Sequence, residues 1–205
     1  MKRSLNNNLN KDLELILETF NRRENYQNIC TNLMWDIIRV SAKIVNNLLA
    51  KKDTNLNYDL EFKEIEEKLK TLRQKINEIE WYQNILILAE QEYCEAYLFY
   101  NYLKNKKIIT FSDMPVKISC DSYFYGLCDF TGELKRHALN CLLINDSREA
   151  EEAINLMEEI YYQVSIFKFS ESVVPDLRRK IDTLRINLDH AKSELFMFKM
   201  RSSKD

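Results

Sequence analysis

Glycine and proline are almost missing from this chain, with two of each in 205 residues. Ordinary usage is about 7% and 5%. Sheets need many tight turns, and turns draw on these two residues, so a β-rich fold is excluded. The expected fold class is all-α, with few and short connections. Histidine is equally scarce, at His137 and His190 alone. Five cysteines are present, an odd number with no Cys-x-x-Cys spacing, which reads as reduced thiols filling a core. A Cys–His nucleophile has only those two histidines to draw on. No apolar run approaches the roughly 18 residues of a membrane span. The start, Met1-Lys2-Arg3-Ser4-Leu5-Asn6-Asn7-Asn8, has no apolar stretch of the signal-peptide kind, so a cytoplasmic protein is expected. A net charge of −2 does not suit indiscriminate coating of nucleic acid.

Helical periodicity fills most of the remainder. From about residue 9 to 51, apolar residues recur at steps of three and four (Leu13, Ile16, Leu17, Phe20, then Ile29 to Leu48), which predicts one long helix or two in line. Lys51-Lys52-Asp53-Thr54-Asn55 reads as a turn. Further helices are expected over about 58–79, 80–104, 120–144, 147–167 and 176–200, with Pro175 fitting the first turn of the last. The third is apolar nearly all round, which predicts a central or interface position. The whole reads as one domain, 1–205, with residues 1–8 a flexible start. Charge is uneven: residues 54–164 hold 12 Lys/Arg against 20 Asp/Glu, and both ends are mildly basic.

The acidic middle holds two carboxylate pairs at helical spacing. Glu92 and Glu95 lie in Gln91-Glu92-Tyr93-Cys94-Glu95-Ala96. Asp129 and Glu133 lie in Tyr125-Gly126-Leu127-Cys128-Asp129-Phe130-Thr131-Gly132-Glu133-Leu134. Residues three or four apart share a helix face, so each pair can aim two carboxylates at one spot. Burying like charges is costly without compensation, and Mg²⁺ or Mn²⁺ is the simplest compensator for oxygen ligands. Solvated or salt-bridged pairs are the plain alternative. Both glycines fall in the fourth helix, which implies close helix approach or room beside the acids. His137, four residues after Glu133, either binds a softer metal or simply packs. Arg136, beside the acids, and Arg39 and Lys43, along the long helix, are candidate contacts to an anionic ligand; ordinary surface charge explains the last two equally well.

The segment Tyr123–Arg136 resembles the signature of the translin family, and is most similar to its translin-associated factor X (Trax) branch. Gln91–Ala96 resembles that branch's other acidic motif, and Asp36–Lys43 its first long helix more loosely. The resemblance implies a translin-like bundle of about seven helices, two of them long, that assembles into closed, octamer-like shells and has a nucleic-acid partner. It implies metal-dependent cleavage of RNA by Glu92, Glu95, Asp129 and Glu133, with Arg136 at the family's arginine. Single-stranded RNA is the expected substrate, ssDNA a further ligand, and a homo-octamer or a complex with a separate translin subunit the expected assembly. The stretch matching translin's basic segment, Glu80-Trp81-Tyr82-Gln83-Asn84, has no positive charge, so RNA contacts are expected elsewhere. Two other functions compete. A non-catalytic RNA- or ssDNA-binding scaffold like translin needs none of the four acids. A diiron bundle needs Glu-x-x-His motifs, which this chain lacks.

Overall fold

The computed structural model describes residues 2–50, 57–77 and 83–202, with side chains from Leu9 onward. Among them the chain is all helical, with no strand. The helices are α1 (Lys2–Leu49), α2 (Asp59–Asn77), α3 (Gln83–Asn105), α4 (Cys120–Leu143), α5 (Ser147–Val164) and α6 (Leu177–Ser202). A single 3₁₀ turn, Phe111–Asp113, interrupts the longest connection. The count is therefore six α-helices rather than seven. With no Gly or Pro to break it, the long first segment forms one helix of 48 residues, about 72 Å from end to end. The turn expected at Lys51–Asn55 and residues Glu80–Tyr82 of the stretch without positive charge lie outside the described residues.

The apolar third segment occupies the centre, as its pattern requires. α3 packs against α1, α2 and α4, and α4 in turn carries α5 and α6. Tyr93, Leu98 and Phe99 of α3 are fully buried, with Phe130 and Leu134 of α4 against them. Four of the five cysteines are buried and none forms a disulfide. The first turns of α1 contrast with this core. Leu9, Leu13, Leu15, Ile16, Leu17 and Phe20 all face solvent.

Two local devices set α4 against α3. At Gly126 the helices nearly touch, and a Cβ built there would lie 2.7 Å from Cys94 Cβ and 2.8 Å from the Gln91 carbonyl oxygen. At the start of α4, the Ser119 side chain caps the helix by accepting from the Ser122 N–H. The buried Glu90 carboxylate accepts from the Ser119 N–H at 2.9 Å and from Ser122 Oγ at 2.8 Å. Arg73 of α2 pairs with the same carboxylate. The start of α6 departs from expectation. Pro175 precedes the helix instead of joining its first turn, because Asp176 adopts the left-handed conformation, φ 60°, which Asp tolerates better than most residues. Tyr125 Oη donates to the Pro175 carbonyl at 2.5 Å and ties this corner to α4.

Candidate functional site

The Gly126 crossing turns the acidic face of α3 toward that of α4, with α1 alongside. Between the three helices lies a cleft of about 160 Å³ lined by Ser41, Asn46, Glu92, Glu95, Glu133 and Arg136. Three of the four expected carboxylates thus share one space, and they arrive from two motifs some 40 residues apart. Asp129 does not line the cleft. Lys180 of α6 donates to both its oxygens, at 2.6 and 2.5 Å, and Gln91 Nε2 donates to Oδ2 at 2.7 Å. Arg136 Nη1 donates to both Glu133 oxygens, at 3.1 and 2.9 Å.

The electrostatics are those of a site short of positive charge. Burial, reinforced by the charges of Glu92, Asp129 and Glu133 and opposed by Lys180, pushes Glu95 up to about 9. Burial also raises Glu92, with Asp129 adding to it and Lys180 opposing. Glu133 is raised by burial against the pull of Arg136. Glu90 shows what a structural carboxylate looks like here: it is 1% exposed, yet Arg73, the Ser119 N–H and the Ser122 hydroxyl satisfy it. Among the described residues, Glu92 and Glu95 have no such partner. Ser41 Oγ, buried in the cleft wall, also lacks a hydrogen bond. Leaving such a hydroxyl unpaired costs about 1–3 kcal/mol.

The donor chemistry fits a hard divalent cation, because the cleft offers carboxylate, hydroxyl and amide oxygens and no thiolate or imidazole. The expected four-ligand cluster is not closed, however. Among the described residues, no group of three or more His, Cys, Asp or Glu stands close enough to hold an ion. Asp129 pairs instead with Lys180, and Glu133 with Arg136.

The raised Glu95 carries a consequence for stability. Its folded value of about 9 lies above the ordinary 4.5, so the folded chain binds the extra proton between those limits. That stability is full below about pH 4.5 and declines as pH rises toward 9. In Glu95→Gln the decline should flatten. Melting in EDTA should show the variant about 3–6 °C above wild type near pH 9, with the gap closing toward pH 5. Parallel curves would show that Glu95 ionises normally.

The remaining expected residues scatter. Arg39 is exposed and ion-paired to Asp36 at 3.1 Å, Lys43 is exposed, and neither lines the cleft. His137 does not join Glu133. Its ring is buried against Phe99 and Tyr102, and Nε2 lies 2.9 Å from Glu149 Oε1 on α5. The packing alternative holds for this residue. Three site residues were missed: Ser41 and Asn46 of α1, and Lys180. The sequence assigns no role to Gln91 either, although it opens the acidic motif. Nothing in the sequence links Lys180 to Asp129, 51 residues away.

Residues 22–202 match the model of the translin family. An uncharacterized protein of Methanocaldococcus jannaschii is 27% identical over 194 residues, covering 92% of this chain and 86% of its own length. Among solved structures, apo-NeC3PO superposes with a TM-score of 0.77 at 19% identity, over 91% of this chain and 96% of the other. The AfC3PO–duplex RNA complex gives 0.71 at 23%, over 94% and 99%. Among the described residues, no helix is long and apolar enough to cross a membrane.

Proposed function

This chain belongs to the translin family, and from that premise we propose that it is a metal-dependent endoribonuclease of the Trax type, acting on single-stranded RNA. One observation carries the reading: Glu92, Glu95 and Glu133, three desolvated carboxylates from separate motifs, line one cleft beside Arg136. A chain gains nothing structurally from that arrangement, because each acid pays for burial without a full complement of partners. Glu92, Glu95, Asp129 and Glu133 would hold Mg²⁺ or Mn²⁺, which supplies Lewis-acid polarisation of the phosphate and a nucleophile at neutral pH. Arg136, half exposed at the cleft edge, neutralises a non-bridging phosphate oxygen. Ser41 donates its unpaired hydroxyl to the same group. RNA as partner is in keeping with AfC3PO, whose complex with duplex RNA shares this fold. The test is purified protein with labelled single-stranded and duplex RNA, in Mg²⁺ and in EDTA. Cleavage of the single strand that EDTA abolishes supports the reading, and no cleavage in Mg²⁺ or Mn²⁺ contradicts it.

A second reading is a non-catalytic RNA- or ssDNA-binding scaffold. It is favoured by the ion pairs that occupy Asp129 and Glu133. Binding of RNA that is indifferent to metal would select it.

Assembly is proposed as well. The exposed apolar residues of α1, with Phe196, Met197 and Met200 on α6, are too many for a monomer's surface. We expect a homo-octamer, so light scattering should give about eight times the 24.6 kDa chain mass. A monomer at micromolar concentration would refute this.

A further inference from the structure

Lys180 stands where the site lacks positive charge. Its ammonium engages both oxygens of Asp129, at 2.6 and 2.5 Å, and lies 5.8 Å from the Tyr125 ring centre. Its side chain is 13% exposed, so salt screens the pair weakly. It comes from α6, which contributes nothing to either acidic motif. Asp129 is thereby kept off the cleft that Glu92, Glu95 and Glu133 line, although its charge is still felt at Glu92 and Glu95. The same ammonium also reaches those two acids, opposing their upward shift.

We propose that Lys180 is a positioning residue that occupies Asp129 in the metal-free protein, is displaced from it by the divalent ion, and is then handed to the RNA phosphate. The proposal rests on the metal-dependent reading above. A doubly charged ion binds a carboxylate more strongly than an ammonium does and repels the ammonium once bound. The ammonium then needs another anion, and a phosphate drawn to the ion supplies one. Lysine suits such an exchange, being a compact charge with three donors on a flexible four-carbon stem. The pairing also explains why the four acids are not gathered in the metal-free fold.

The test compares wild type, Lys180→Met and Lys180→Arg, using calorimetric titration with Mn²⁺, melting in EDTA and cleavage of labelled single-stranded RNA. Lys180→Met should melt lower than wild type in EDTA, because Asp129 loses its partner. It should nevertheless bind Mn²⁺ at least about fivefold more tightly, since the competitor is gone. Its cleavage at saturating Mn²⁺ should fall about tenfold or more, because the phosphate has lost a cation. Lys180→Arg should restore melting in EDTA. Should Lys180→Met fail to fold, Lys180→Gln keeps a donor for Asp129 and carries the same comparison. If wild type binds Mn²⁺ and the charge-removing variant binds it equally or more weakly, Lys180 is only a brace and the proposal falls. If wild type binds no Mn²⁺, the metal reading itself fails and takes the proposal with it.

Discussion

Asp129→Asn and Glu133→Gln should each lower RNA cleavage by at least about 100-fold, the upper range for losing even an outer-shell partner of a metal site. Each exchange removes one negative charge and keeps the side-chain shape. In Asp129→Asn the amide oxygen still accepts from Lys180, so α4 and α6 stay tied. In Glu133→Gln the amide oxygen still accepts from Arg136. Circular dichroism should therefore show unchanged helix content, and the loss should appear only in cleavage and in Mn²⁺ affinity. Loss of activity together with loss of helix would point instead to a structural role for the two acids.

The second large effect concerns the helix crossing that builds the cleft. In Gly126→Ala the new methyl would meet Cys94 Cβ at 2.7 Å and the Gln91 carbonyl oxygen at 2.8 Å. Neither neighbour can swing aside, because one is backbone and the other a buried β-carbon. Overpacking of this kind costs about 1–3 kcal/mol and outweighs the gain in helix propensity, which is at most about 1 kcal/mol. Parting α3 from α4 also separates Glu92 and Glu95 from Asp129 and Glu133, and a shift near 1 Å can cost about 100-fold in rate. Gly132→Ala is the control on the same helix. Its Cβ would meet only Asn187 Nδ2, at 3.9 Å, so the exchange should stabilise by about 0.5–1 kcal/mol. Denaturant melts of the two variants should thus move in opposite directions. Movement in the same direction would mean that Gly126 is not the contact it looks to be.

The contrast between the two glycines shows what a sequence carries and where it stops. Scarcity of Gly and Pro and the three–four rhythm gave the helices and most of their limits, because those signals are local. The shared face of Glu92 and Glu95 was legible for the same reason, since i,i+3 spacing is local; Asp129 and Glu133 have i,i+4 spacing, but only Glu133 lines the cleft. Which glycine is a contact was not legible, since that depends on what lies across from it. His137 sits one helical step of four from Glu133, which is about 40° past a full turn, and that offset carries it onto α5. Arg39 and Lys43 look like phosphate contacts in the sequence, but charge alone does not tell a cleft from an open face. Lys180 and Ser41 reach the site only through packing of α6 and α1, which no motif encodes.

The central claim is that four carboxylates do the chemistry. Cleavage of labelled single-stranded RNA in Mg²⁺ by the combined variant Glu92→Gln, Glu95→Gln, Asp129→Asn, Glu133→Gln, beside wild type, tests it most directly. Cleavage by wild type alone is expected, with the variant still folded and still assembled. Full activity in the variant would contradict it.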